Sequence, residues 1–245
     1  FLRKEKNMKE NKKKLKIIKN IILLMFLFIG ILLVFRGPIE NWLVSIGIDS
    51  LGIDDLSASD LKKNNNKNTT FDFGEASELD LQTVLEANFN RDEITVIGAI
   101  SIPSVKMNLP IGKGTSRYTL ALTAGTMKED QVMGEDNYAL AGHHMTRKDL
   151  LFSPLYEVEM GAAVYLTDLK YVYEYQIDEQ RTIEATEVDV INDIEGETIL
   201  TLITCDKDGE ARLLTRGHFV KKIPAEEASK TIVDAFNLKL TNTSK

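Results

Sequence analysis

From Ile17 to Phe35 the chain runs for nineteen residues with a single charge, Lys19, and from Ile21 onward it carries none. At 1.5 Å of rise per residue a helix of that length reaches roughly 28 Å, against about 30 Å for the hydrocarbon core of a bilayer, and Lys19 can snorkel its ammonium toward the headgroups. Such a run is a secretory signal or a membrane span. We read an uncleaved span, because Arg36-Gly37-Pro38-Ile39-Glu40-Asn41-Trp42 offers no small-x-small cleavage site, and Trp42 suits the outer interface. The first twenty residues hold nine Lys or Arg against two acids, a local charge of +7, which leaves −14 on the rest of the chain. Positive charge ahead of the span places the N-terminus in the cytoplasm and the bulk of the chain outside. The same distribution argues against a nucleic-acid partner, since the basic residues abut the span and the remainder is acidic. The chain begins at Phe1; Met8, followed by Lys9-Glu10-Asn11-Lys12-Lys13-Lys14, is the expected translation start.

The expected organisation is a cytoplasmic basic tail at 1–16, the anchor at 17–35, a juxtamembrane segment and polar linker at 36–71, and a globular domain at 72–245. Ile39 to Leu56 reads as a short helix. Ser57 to Thr70 is rich in Asn, Lys, Ser and Thr and almost devoid of apolar residues, the composition of a solvated linker. Beyond it, Ala76 to Ala87 has helical spacing, and Lys148 to Tyr156 reads as a helical turn or two stopped by Pro154. Strands are expected at Glu93–Ile102, Thr119–Ala124, Tyr138–Gly142, Ala162–Asp168, Tyr171–Glu184, Thr198–Thr204 and Ala211–Lys221, where Val, Ile, Thr and Tyr cluster between turn residues. A last helix is expected at Ala225–Asn237. Many short strands at this spacing give a mainly β domain, a barrel or a sandwich.

Chemistry concentrates at three places. Cys205, the single cysteine, closes the run Thr198-Ile199-Leu200-Thr201-Leu202-Ile203-Thr204. In an exported chain it has no disulfide partner and is either a core thiol or one kept for reaction, and a strand terminus ahead of Asp206-Lys207-Asp208-Gly209 would present it at a rim. His143 and His144 follow Leu140-Ala141-Gly142, and Arg212 lies seven residues past the cysteine with Arg216 as a rival on the same strand face. A thiol, an imidazole and a guanidinium on separate elements can run an acyl transfer. A zinc site from His143, His144, Cys205 and His218 lacks any paired ligand spacing.

The run Thr201-Leu202-Ile203-Thr204-Cys205 with Ala141-Gly142-His143 resembles the sortase family. Leu122 to Met127, Gly134 to Tyr138, Leu151 to Leu155 and Tyr165 to Asp168 extend the likeness to the class A, housekeeping branch of streptococcal type. The resemblance implies an eight-stranded sortase-type β-barrel with a few short helices, preceded here by one transmembrane helix. It implies a cysteine transpeptidase that cleaves LPXTG-type sorting signals between Thr and Gly through a thioacyl intermediate on Cys205. The acceptor would be the amine of a lipid-linked peptidoglycan precursor, which anchors surface proteins to the wall of a Gram-positive cell. It assigns acid and base work to His143, an oxyanion or substrate contact to Arg212, and an apolar substrate groove to Ala141, Val188, Val190, Ile191 and Ile203, with Thr204 adding a hydrogen bond. No cofactor is expected. Some class A sortases bind calcium, and the acids available for it here are Glu129, Asp130, Glu135 and Asp136 in one loop and Asp193, Glu195 and Glu197 in another. The alternatives are a pilus-assembling sortase with a lysine acceptor, which would carry a lid and often a second, C-terminal span, neither of which is expected here, and a noncatalytic surface module with Cys205 in its core.

Overall fold

In the computed structural model, residues 2–72, 79–205 and 210–236 are described, with only the backbone helix given for residues 2–12. The chain divides into two units, Phe1–Glu40 and Asn41–Lys245. The first is dominated by α1 (Leu2–Val34), which contains a 22-residue stretch, Lys13–Val34, long and apolar enough to cross a membrane, all of it exposed. Helix α2 (Arg36–Ser50) follows after Phe35, and from Asn41 its residues belong to the second unit.

The second unit is a closed barrel built from β1 (Val96–Ile102), β2 (Met107–Gly112), β3 (Ala124–Thr126), β4 (Asn137–Ala141), β5 (Ala163–Thr167), β6 (Tyr171–Glu184), β7 (Ile199–Cys205) and β8 (Ala211–Pro224). Around the barrel the order is β1-β2-β3-β4-β7-β8-β6-β5. The β2–β3 and β4–β7 neighbours are parallel and the other pairs antiparallel. Closure leaves no unpaired edge, and the interior fills with Ile100, Ile111, Leu140, Leu166, Tyr175 and Leu202, each essentially inaccessible.

Six of the expected strands are present within a few residues, and the fold class is as the sequence indicates. Thr119–Ala124 is a different matter: Arg117–Leu122 forms helix α5, and only Ala124–Thr126 is strand. Ser116 decides this, because its hydroxyl accepts the Thr119 N–H at 3.2 Å and caps a helix whose β-favouring residues then bury against the barrel. Strand β2, with Pro110 and Gly112 inside it, escaped the composition test because both residues are poor strand formers.

The polar linker is also corrected. Ala58–Asn65 is a helix, α3, begun by a reciprocal capping box between Ser57 and Asp60. It docks by buried Leu61 and by side-chain hydrogen bonds: Asn64 Nδ2 donates to the Val96 carbonyl at 2.8 Å, and Lys113 Nζ donates to the carbonyls of Asn65 and Lys67 at 2.6 and 3.0 Å. Amide and ammonium groups do here what apolar area does elsewhere, so the body includes the segment expected to hold it away from the membrane. Helix α4 (Leu81–Phe89) starts later than expected, capped by Asp80, and residues 76–78 of the expected helix lie outside the described ones. Pro154 does not stop a helix but opens the 3₁₀ turn Ser153–Glu157, where its missing N–H is tolerated. The C-terminal helix is the short α6 (Lys230–Ala235), and Asn237 lies outside the described residues.

Candidate active site

Strands β4, β7 and β8 lie side by side, and their register assembles the site. Ala141 pairs with Ile203 across the parallel ladder, and the Gly142 N–H donates to the Ile203 carbonyl at 3.1 Å. Two residues further along each chain come His143, just past the end of β4, and Cys205, the last residue of β7, and both line one cleft. On the other side of β7, Cys205 stands directly opposite Arg212. The thiol, imidazole and guanidinium therefore emerge at one end of the barrel from three adjacent elements.

Local packing fixes the histidine. A Cβ at Gly142 would sit 2.6 Å from the Phe152 ring, so only glycine lets β4 pass that ring before His143. The His143 carbonyl accepts the Phe152 N–H at 3.0 Å, and His144 bridges Leu151, which takes φ of 48°. A leucine in the left-handed region carries strain of about 1 kcal/mol or more, held in place by these contacts. Desolvation pushes the His143 pKa down to about 4, so its ring is neutral at pH 7. Cys205 is a free, half-buried thiol.

Sequence parity left Arg212 and Arg216 equivalent, and the structure separates them. Arg212 lines a cleft of about 240 Å³ together with His143 and Cys205. Arg216 is turned to other work: its guanidinium pairs with Glu179 at 3.1 Å, donates to Thr201 Oγ1 at 3.3 Å and donates to the Val190 carbonyl at 3.1 Å. Asn137 Nδ2 reaches the same carbonyl at 3.1 Å. Two donors from the barrel thus hold the short 3₁₀ segment Val188–Ile191, which forms one wall of the cleft.

All six residues expected in the groove, Ala141, Val188, Val190, Ile191, Ile203 and Thr204, line this cleft. Thr204 Oγ1 is buried with no protein partner among the described residues. Leu120, Met127, Ile183 and Ala185 add to the apolar lining and were not foreseen. Ile183 pairs with Arg212 across β6 and β8, so the hairpin register would have found it; Leu120 was hidden by reading α5 as a strand. Tyr156 was also missed. Its hydroxyl donates to the Cys205 carbonyl at 3.3 Å and its ring lies 4.9 Å from that of His144, a contact that only the chain crossing creates.

His218, midway along β8 opposite Ile199, pairs with Asp178 at 2.7 Å and does not line the cleft. Glu129, Asp130, Glu135, Asp136 and Asp193 gather around a second, acidic depression, which Glu195 and Glu197 do not line. There the Lys128 ammonium is paired with Asp193 and holds that carboxyl below its usual range. Among the described residues no three His, Cys, Asp or Glu side chains are grouped to hold a metal ion.

A sortase domain family profile matches residues 100–220. Sortase A of Listeria monocytogenes is 44% identical over 79% of this chain and 86% of that protein. Sortase A of Streptococcus agalactiae is 36% identical over 94% of this chain and 97% of its own length. The crystal structure of the Listeria monocytogenes sortase A superposes with a TM-score of 0.54 at 43% identity, covering 59% of this chain and 99% of that one. Similarity at this level over most of both partners, on a barrel that brings a cysteine, a histidine and an arginine to one cleft, places the chain in the sortase family as a class A, sortase A-type transpeptidase.

Proposed function

We propose that this enzyme cleaves an LPXTG-type sorting signal between Thr and Gly and passes the acyl group to the amine of a peptidoglycan precursor. His143, neutral at rest, accepts the Cys205 proton as Sγ attacks the Thr carbonyl carbon. The resulting oxyanion takes hydrogen bonds from Arg212. Collapse breaks the C–N bond, the glycine amine leaves with the proton from His143, and a thioester remains on Cys205. The acceptor amine then attacks that thioester, His143 removes the ammonium proton, and the thiol is regenerated. Leu and Pro of the signal offer apolar area without charge, which suits the wall of Ala141, Val188, Val190, Ile191 and Ile203. The Thr204 hydroxyl, buried in the cleft lining, hydrogen-bonds the bound peptide in this reading.

The observation that supports this reading is that Cys205, opposite Arg212 across β7 and β8, and His143, just past β4, line one apolar cleft. Helix α1 supports a single-pass anchor with the lysine-rich end in the cytoplasm and the barrel outside, facing surface proteins and lipid-linked wall precursors. Calcium has no assigned role, since Lys128 already supplies positive charge to Asp193. The test is to incubate the enzyme with an LPXTG peptide and a glycine-based amine and identify products by mass. A peptide cut after Thr and joined to the amine, absent with Cys205→Ala, is the expected result. Failure to cleave any sorting-signal variant, with the thiol accessible and the protein folded, would refute the substrate. Joining only to a lysine side chain would favour pilus assembly, and a thiol reactive only after unfolding would favour a noncatalytic module.

A further inference from the structure

Opposite the barrel side of α2 and α4 lies an apolar face that none of the described residues covers. Val44 of α2 and Val84 and Ala87 of α4 point into the core and are fully buried. The two helices touch: Asn88 Nδ2 donates to the Leu43 carbonyl at 3.2 Å, and a Cβ at Gly47 would lie 3.1 Å from Asn88 Oδ1. At 100° per residue, Trp42 and Ile46 then project from the outer side of α2, and Leu85 and Phe89 from the outer side of α4, each pair four residues apart. Their exposures are 59% and 38%, and 38% and 86%. Exposed Leu or Ile residues are ordinary singly, but a tryptophan and a phenylalanine joined by two aliphatics on neighbouring helices form a patch that calls for a partner.

We propose that this face, Trp42, Ile46, Leu85 and Phe89, seats the barrel on the lipid surface. The proposal rests on reading α1 as a membrane anchor, and chain connectivity selects the occupant. Trp42 comes seven residues after Phe35, the end of the apolar run, and the intervening chain from Arg36 is helical, so the patch begins about 10 Å along the chain from the bilayer. A tethered surface meets lipid at a far higher effective concentration than any diffusing protein. Tryptophan and phenylalanine are also suited to the headgroup boundary, where an apolar body sits against acyl chains. The nearest acid on α4, Glu86, is neutralised by Arg117 at 2.8 Å, which removes one repulsion from an anionic surface. Docking has a consequence for the reaction: α5 contacts α4 through the Tyr118 hydroxyl on Glu86, and Leu120 of α5 lines the catalytic cleft. A single helix separates the seated face from the cleft, within reach of an acceptor amine carried on a lipid.

Trp42 is the only tryptophan, which makes the proposal testable by fluorescence in the full chain. Trp42→Phe combined with Phe89→Trp moves the single indole to α4, away from the tether. The protein is reconstituted in phosphatidylcholine–phosphatidylglycerol vesicles, with and without phosphatidylcholine brominated on its acyl chains. The expected result is a blue-shifted emission that brominated lipid quenches and aqueous iodide does not. In the otherwise native chain, Phe89→Asp should shift Trp42 emission to the red, a check that does not depend on accommodating a new indole. Quenching of the residue-89 indole by iodide and not by lipid would overturn the proposal. So would emission shielded from both quenchers and sensitive to protein density in the vesicle, which would assign the face to a second copy. Retention on the vesicles after alkaline carbonate distinguishes the two levels: loss of retention removes the anchor and the docking with it, whereas retention with a solvent-exposed indole removes docking alone.

Discussion

Replacing His143 with glutamine should flatten the acid side of the stability profile, and the size follows from the burial of the ring. Desolvation lowers its pKa from 6.5 unfolded to about 4 folded. Below pH 6.5 the unfolded chain binds a proton at this site that the folded chain refuses, so the unfolded state gains from acid and native stability falls with pH until about 4, where the folded ring protonates too. Integrating that difference gives a loss of about 2.5 kcal/mol at pH 4.5 relative to pH 7.5, reduced somewhat because the ring is only half-buried. The carboxylates of Asp193 and Asp149, held low by Lys128 and Arg147, lose their contribution at more acid pH and act equally in both proteins. Urea denaturation followed by near-ultraviolet circular dichroism, at half-unit steps from pH 7.5 to 4.5, measures the effect. The difference between wild type and His143→Gln should change by about 2 kcal/mol across that window. Parallel profiles would mean that His143 is hydrated and titrates near its ordinary value, and that burial is not what keeps the ring neutral.

Cys205→Ala should abolish acyl transfer without lowering the melting temperature by more than a few degrees, as the thiol is half-buried at a rim; residual turnover measured by product mass would refute its role. Arg212→Ala should lower kcat by roughly 10²-fold or more, the cost of one oxyanion donor, with a smaller change in KM, as read from steady-state kinetics. Arg216→Ala should instead remove one of two donors to the Val190 carbonyl, costing about 1–3 kcal/mol of stability and raising KM more than it lowers kcat. Gly142→Ala should destabilise by about 1–3 kcal/mol, because its Cβ would meet the Phe152 ring at 2.6 Å, and a melting curve decides it.

The barrel was legible where a strand is an unbroken run of Ile, Leu and Thr buried on both faces, as in β7, and where Tyr173, Tyr175 and Ile177 alternate with polar residues, as in β6. It was opaque where a cap overrode propensity at Ser116, and where α3 was held by amide and ammonium hydrogen bonds that composition does not register. At the site, Ala141-Gly142-His143 and the cysteine run pointed to the ends of β4 and β7 that line the cleft, since a reactive group at a strand terminus leaves a local signature. The choice between Arg212 and Arg216 was not local. Positions four apart share a strand face, and what separates them is Glu179 and Val190, brought to Arg216 by another strand and a loop. Tyr156 was invisible for the same reason, because its partner is a main-chain carbonyl 49 residues away.

The parallel pairing of β4 with β7 also governs when the thiol becomes dangerous. Parallel neighbours cannot be joined by a tight turn, and here the intervening chain makes β5 and β6, which close the opposite side of the barrel. Histidine and cysteine meet only across that long excursion, so their encounter belongs to the late, high-contact-order part of folding. A chain still folding therefore carries a solitary sulfhydryl with no base beside it. The nucleophile is armed by completion of the fold.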